Sequence, residues 1–364
     1  MITLGSLFSG IGGFEYAAQM YGIKPIWASE IEPNCIKITS THFPDMQHCG
    51  SIIHMSGNTL PPVDVICGGS PCQNLSVAGQ QAGINLICPK CGKIESPYSN
   101  VTICSECGNT MSLTESGLFL HQIRIIKEMR EKTNACYPKV VIWENVIGSL
   151  SSNKGEDFYC VLKEFCGLMG ERLPSTRFKK WSSAGEILAD HSSLAWRSFN
   201  AQYWGTPQHR CRVFLVVDFT GQSARDILFK SERLRQYTAQ IEKPWEAYTR
   251  PASTSTTIYR IGSYYSNSMK SSNPNSGIYE ADIAPTIDTS GGNPMCNQGG
   301  IVIISNNKAR RLTPLECERL QGFPDNWTVG VSDTARYRAL GNSQQPYIFV
   351  LRWQIHILVL HHTA

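Results

Sequence analysis

The chain has 364 residues, 41% of them apolar, and a formal charge of +4. That length and apolar content can fill one large core and a smaller second lobe, and they exclude a disordered or fibrous chain. So small a net charge does not itself advertise nucleic acid. Between Arg172 and Arg212, however, seven Lys or Arg side chains stand against Glu186 and Asp190, an excess suited to phosphates and equally compatible with a solvated basic face.

The start carries no cationic segment followed by a long apolar run, because Glu15 interrupts the candidate stretch, so no secretory signal is expected. Residues 348–360 are apolar but short and include Arg352, which favours a packed element over a membrane span. A cytoplasmic protein without membrane contact is expected. In that reducing compartment its fourteen cysteines read as thiols, metal ligands or a catalytic group rather than disulfides.

Residues 2–7 read as a strand, followed by a glycine turn, a helix from Gly13, a strand over 25–29, a helix from Pro33 and an apolar strand over 63–67. The rhythm resumes with an amphipathic helix over 118–131, a strand over 139–143, a helix over 156–168 and a strand over 212–218. This alternation predicts an α/β fold with a doubly wound, Rossmann-like sheet. From 221 to 306 the composition shifts to Ser, Thr, Asn, Tyr, Gly and Pro, which predicts a separate lobe, mostly β or irregular, with residues 263–276 as a loop. A helical pattern returns at 313–321.

Phe8-Ser9-Gly10-Ile11-Gly12-Gly13 follows a strand and opens a helix, and Glu30 ends the next strand. Glycines there admit a ligand to the backbone at the helix N-terminus, and a carboxylate some twenty residues on can accept two ribose hydroxyls. An adenosine-type nucleotide site is expected. The spacing Gly-x-Gly-Gly is not that of a full dinucleotide fingerprint, and a plain tight turn is the competing reading.

Gly68-Gly69-Ser70-Pro71-Cys72-Gln73 follows the strand over 63–67, at the edge where open α/β sheets place ligands. Taken alone, Cys72 is more simply an incidental cysteine. Its neighbours change the reading. Trp143-Glu144-Asn145-Val146 brings a carboxyl to the same edge, and Gln208-His209-Arg210-Cys211-Arg212 brings alternate arginines to one face of a strand entrance. A nucleophile, a carboxyl and guanidinium groups beside a nucleotide site suit attack on a polarised base, although each segment by itself also fits a structural ion pair.

In motif order the chain resembles the cytosine-5 DNA methyltransferase family: Phe8 to Gly13, Glu30, Pro71-Cys72-Gln73, Glu144-Asn145-Val146, Gln208-x-Arg210-x-Arg212, Arg311-Leu312-Thr313-Pro314 with Glu316, Arg319-Leu320-Gln321-Gly322-Phe323-Pro324, and Gly341-Asn342-Ser343. The resemblance implies S-adenosyl-L-methionine as cofactor and double-stranded DNA as partner. It implies that the Cys72 thiolate adds to C6 of a flipped-out cytosine, Glu144 donates to N3, and Arg212 with Arg210 holds the O2 and phosphate side. It assigns Phe8, Gly10, Ile11 and Gly13 to the methionine end, Glu30 and Ile31 to ribose and adenine, and Ile52, Gly69, Pro71, Leu118, Asn342 and Ser343 to the rest of the pocket. Gln73, Ser76, Gln208 and the Thr286-Ile287 pair are the implied DNA contacts. Arg250, Arg260, Asn275 and Gln298 are polar candidates for base reading within the variable lobe.

The implied layout places the catalytic domain at 1–83 and 115–220, a target recognition domain at 221–306 and a closing segment at 307–364. A monomer is expected, with a separate restriction endonuclease as possible companion. Three positions depart from the family: Ser51 replaces an aspartate that contacts adenine, Glu115 replaces an arginine, and Gln344-Gln345 follows Ser343 where apolar residues are usual. An RNA cytosine-5 methyltransferase and an inactive zinc-containing nucleic acid binder are the alternatives. Intact Cys72, Glu144, Gln208, Arg210 and Arg212 argue against the second.

The larger departure is an insert over 84–114. It carries Cys88-Pro89-Lys90-Cys91-Gly92 and Cys104-Ser105-Glu106-Cys107-Gly108. Two Cys-x-x-Cys-Gly knuckles predict a closed, structural Zn(II) site of four thiolates, with iron and a redox dithiol pair as alternatives. Such a ribbon staples an insert too short for its own core, and could also extend the DNA footprint.

Overall fold

The structure, a computed structural model, describes residues 1–71, 83–96, 102–174, 178–229, 257–262, 277–280, 283–287, 301–305, 308–344 and 346. The first half follows the expected rhythm: β1 (Thr3–Leu7), α1 (Gly13–Gln19), β2 (Lys24–Ser29), α2 (Pro33–His42), β3 (Gln47–His48) and β4 (Val65–Gly68). The insert contributes three short strands, β5 (Leu86–Ile87), β6 (Ile94–Glu95) and β7 (Ser112–Leu113). Then come α3 (Phe119–Lys132), β8 (Val140–Val146), α4 (Glu156–Leu168), β9 (Ala184–Leu188), β10 (Ser193–Asn200), β11 (Gln208–His209), β12 (Cys211–Asp218) and α5 (Ala224–Phe229).

One eight-stranded sheet runs in the order β3-β2-β1-β4-β8-β12-β10-β9. The strands from β3 to β8 are parallel, while β12, β10 and β9 pair antiparallel. Strands buried on both faces must be apolar throughout, and β4 and β8 show why. Ile66, Val141 and Trp143 face a core shared with Phe119, Ile123 and Ile126 of α3 and with Phe158 of α4. Val65, Cys67, Val140 and Ile142 face a second core with Phe14 and Ala17 of α1 and with Ile227 and Leu228 of α5. The predicted α/β fold class is therefore observed. The sequence reading missed β3, β9 and β10, and also the reversal of direction at β12.

Beyond this sheet lie β13 (Thr257–Gly262), β14 (Gly277–Glu280), β15 (Ala284–Pro285), β16 (Ile301–Ser305), β17 (Lys308–Arg310), α6 (Pro314–Gln321) and α7 (Asp333–Asn342). A four-stranded sheet runs β14-β13-β16-β17, and β15 pairs in parallel with β11. A capping box starts α6, with Thr313 accepting from the Glu316 amide and Glu316 returning to the Thr313 amide at 2.7 Å. A third apolar cluster joins Ile38 of α2 to Leu320, Phe323, Trp327 and Leu340. The C-terminal helices are thus seated against the N-terminal half of the sheet. Among the described residues no helix is long and apolar enough to cross a membrane; residues 348–360 lie outside them.

Candidate active site

Register sets the geometry. Leu7, at the end of β1, pairs with Ser29 of β2 and Gly68 of β4, and Gly68 pairs with Trp143 of β8. The loops after these strands therefore leave one edge together, where the strand order turns back around β1, the usual ligand position in such sheets. A cavity of about 420 Å³ opens there, within the common range for small-molecule sites.

Of the predicted cofactor residues, Phe8, Gly10, Glu30, Ile31 and Ile52 border this cavity, as do Gly69, Pro71, Leu118, Asn342 and Ser343. Ile11 and Gly13 stand behind its wall. The Ile11 side chain is buried in the third cluster, and its carbonyl accepts from Trp327 Nε1 at 2.8 Å. Ser51 and Glu115, two departures from the family, also border the cavity.

Gly10 holds φ +56°, a left-handed conformation that admits glycine without steric cost, and its amide donates to Glu30 Oε2 at 2.7 Å. The other Glu30 oxygen accepts from the amides of Ile31 at 2.7 Å and Glu32 at 2.9 Å. Three backbone donors thus fix the carboxylate, leaving further lone pairs for a ligand's hydroxyls.

Glu144 reaches the cavity from β8 and is buried, with Oε1 3.2 Å from Arg212 Nε. Burial pushes the Glu144 carboxyl above its ordinary range, and Arg212 and then Arg210 oppose that shift. The pairing depends on chain direction. Because β12 is antiparallel, its first residues lie opposite the end of β8, with Arg212 beside Val146; a parallel β12 would carry Arg212 to the far edge.

Arg210 borders the cavity, and its guanidinium donates to the carbonyls of Ile287 at 3.2 Å, Ser343 at 2.7 Å and Gly341 at 3.4 Å. It clamps the segment after α7 to the sheet. Thr286 Oγ1 donates to the His209 carbonyl at 2.7 Å, and Gln208 and Ile287 are fully buried beside this junction. Gln208, Thr286 and Ile287 therefore meet, away from the cavity lining.

Trp143 Nε1 and Asn145 Nδ2 each donate to Ser70 Oγ at 3.2 Å, and Ser116 Oγ donates to the Pro71 carbonyl at 3.0 Å. The backbone is thus held up to the residue before Cys72. Cys72, Gln73 and Ser76 lie outside the described residues. Sequence reasoning missed Gln344, which borders the cavity and donates from Nε2 to the Phe8 carbonyl at 3.2 Å. Its signal was the departure from an apolar pattern.

In the insert, the amide of Cys88 donates to the Lys93 carbonyl at 2.8 Å and that of Cys104 to the Asn109 carbonyl at 2.8 Å. Both knuckles thus turn in the same way. Their four sulfurs lie within 4.8 Å of one another, with Cys88–Cys107 at 3.3 Å and Cys91–Cys104 at 3.5 Å. A disulfide would need about 2 Å, whereas the edge of a tetrahedron of thiolates around Zn(II) measures roughly 3.8 Å. The donor set fits a metal.

A family model described as C-5 cytosine-specific DNA methylase matches residues 2–87 and 190–349. The chain is 27% identical to the Type II methyltransferase M1.ScrFI of Lactococcus lactis subsp. cremoris, over 93% of this chain and 73% of that protein. It is 24% identical to the Type II methyltransferase M.HhaI of Haemophilus parahaemolyticus, over 93% of this chain and 88% of that protein. The fold is shared with S. pombe Dnmt2 methyltransferase, with TM-score 0.57, 17% identity and 99% of each chain covered. With a parallel-stranded edge that gathers a glycine turn, a fixed carboxylate and a buried Glu144–Arg212 pair, and with a family match over more than half of its length, the chain belongs to the C-5 cytosine-specific DNA methylases and is a DNA cytosine-5 methyltransferase.

Proposed function

We propose that the protein transfers a methyl group from S-adenosyl-L-methionine to C5 of a cytosine flipped out of a specific duplex DNA sequence, through a covalent bond between Cys72 and C6. The observation that carries this reading is the buried Glu144 carboxyl, raised by desolvation and paired with Arg212 at 3.2 Å on the wall of the cavity that Glu30 and Gly10 also border.

The cavity residues suit the cofactor. Glu30 offers acceptors for ribose hydroxyls, Gly10 opens the backbone to a close ligand, and Ile31, Ile52 and Leu118 offer apolar contact to a base. When bound, S-adenosyl-L-methionine supplies an electrophilic methyl group. The Cys72 thiolate forms the C6–S bond, Glu144 gives its proton to N3, and the displaced π electrons make C5 nucleophilic enough to take the methyl. Loss of the C5 proton to a base then expels the thiolate, and return of the N3 proton to Glu144 restores both the ring and the acid. Arg212 would hold the O2 side while it orients Glu144, and Arg210 would keep the wall near Ser343 in place.

On this reading residues 1–83 and 115–220 form the catalytic domain. Residues 221–306, apart from α5, which packs on the main sheet, read the DNA, and 307–364 close the cofactor site. Gln73, Ser76 and Thr286 line the DNA side, while Gln208 and Ile287, expected there as DNA contacts, are buried and brace that face from behind. The insert over 84–114 holds one structural Zn(II) through Cys88, Cys91, Cys104 and Cys107. The protein acts as a monomer in the cytoplasm, and the Type II names of its relatives support a separate companion endonuclease. Duplex DNA carrying 5-fluorocytosine tests the mechanism, because fluorine cannot leave as a cation and the adduct is trapped. Wild-type protein with S-adenosyl-L-methionine should give a denaturant-stable complex and Cys72→Ser none; a trapped complex with Cys72→Ser would overturn the assignment.

A further inference from the structure

Gln344 follows α7 in a segment held from three sides. Gln321 Nε2 donates to the Leu340 carbonyl at 2.7 Å, Arg210 to the Ser343 carbonyl at 2.7 Å, and Ser343 Oγ to the Leu340 carbonyl at 2.8 Å. The residue is 6% exposed, and its side chain is wedged between the glycine turn and the chain after β4. A Cβ at Gly69 would stand 2.9 Å from Gln344 Nε2, and one at Gly13 would stand 2.8 Å from the Gln344 carbonyl. Room for this side chain exists because both positions are glycine.

The wedge fixes which way the amide points. Nε2 donates to the Phe8 carbonyl at 3.2 Å; the flipped amide would set two acceptors against each other. Oε1 therefore faces Gly10, 3.8 Å from where a Cβ there would lie. This oxygen is buried and has no hydrogen-bond partner among the described residues. A buried acceptor left without a donor is unfavourable and calls for an explanation. It belongs to a residue that borders the cavity.

We infer that Gln344 is a specificity residue for the amino-acid tail of the cofactor, its Oε1 accepting a hydrogen bond from the tail's α-ammonium group. This rests on the cavity being the S-adenosyl-L-methionine site. An amide oxygen only accepts, so the tail carboxylate cannot satisfy it, while an ammonium offers three donors and a charge-assisted bond. The position agrees: Gln344 sits at the Phe8, Gly10 and Gly69 end, away from Ile31 and Ile52. An apolar residue there would fill the same wedge without reading the tail.

Calorimetry with two ligands tests this. S-adenosylhomocysteine carries the ammonium, and its des-amino counterpart keeps the carboxylate and lacks the nitrogen. Wild-type protein should prefer S-adenosylhomocysteine by tenfold or more. Gln344→Met, which conserves volume, and Gln344→Val should lose that preference by weakening S-adenosylhomocysteine alone, with binding of the des-amino ligand unchanged. Equal weakening of both ligands would make Gln344 a brace only, and no weakening would leave a water as the partner of Oε1; either result overturns the inference. If wild-type protein bound neither ligand, the cofactor reading of the cavity would fall first and this inference with it.

Discussion

At the edge of the main sheet, Glu144 and the glycine turn are carried by strands whose side chains fill two large apolar cores, whereas among the described residues the cysteine knuckles share a small cluster of Cys88, Cys104 and Met111. The first region can hold polar groups in fixed positions because the close-packed side chains around them resist displacement. The second has too little apolar surface to fold on that basis, and four sulfurs take the place of a core. Buried polar chemistry rests on a large scaffold; the short insert instead gathers four sulfurs that could hold a metal.

Removing the metal should separate the two regions most sharply. Structural zinc contributes on the order of 10 kcal/mol to the folding of such modules. The insert is stitched to the main body at its base, where Thr114 Oγ1 donates to the Gly83 carbonyl at 2.7 Å and the Ile84 amide to Asp157 Oδ1 at 3.0 Å. Elemental analysis should find one zinc per chain. After a strong chelator, or in Cys88→Ser with Cys104→Ser, hydrogen exchange should lose protection between these anchors while β1, β4 and β8 keep theirs. Retained protection in the insert would show that the metal is not its staple, and loss throughout the sheet would show that the two regions are not separable.

A smaller effect, confined to the sheet edge, is expected from Glu144→Gln. If the carboxyl proton is used in the reaction, methyl transfer should fall by roughly 10²- to 10⁴-fold, while affinity for S-adenosylhomocysteine stays within about threefold. Because burial raises the Glu144 carboxyl, the protonated form persists to higher pH than for a solvated glutamate. The wild-type rate should then decline as pH rises through that ionisation, and the decline should vanish in the amide variant. An unchanged pH profile would remove Glu144 from proton transfer.

The same contrast explains what could be read in the sequence. Val140, Val141, Ile142 and Trp143 announce a strand buried on both faces, and the predicted helix over 156–168 coincides with α4. The knuckles announce themselves because metal ligands lie close in sequence. The direction of β12 was not legible, since it follows from the connection through residues 201–210 rather than from any residue within the strand. Nor were β9 and β10: they hold few strongly apolar runs and are stabilised by cross-strand fits such as Gly185 against the Trp196 ring. The least legible feature is the network of buried polar groups. Arg210 finds the Ser343 carbonyl 133 residues away, and Gln344 finds Phe8 336 residues away, separations that no local pattern records.

The mildest test uses pH to set the two regions against each other. Glu15, in the first turn of α1, is fully buried and accepts from Ser9 Oγ at 2.5 Å; burial lifts its carboxyl from 4.5 to about 7. The folded state then binds a proton that the unfolded chain releases between those values, so the unfolded state holds fewer protons and stability must fall as pH rises. The contribution is intact below pH 4.5, declines through the window and is lost above about 7, with an upper bound of about 3 kcal/mol. Glu15→Gln, which keeps an acceptor for Ser9 and cannot ionise, should flatten the denaturation midpoint of the main sheet across that window and leave it higher than wild type at pH 8. The insert should respond in the opposite sense, since acid competes with metal for thiolates and its protection should weaken as pH falls. A Glu15→Gln protein whose midpoint keeps the wild-type slope would mean that the carboxyl is already ionised in the fold and that its charge is held there by something other than Ser9.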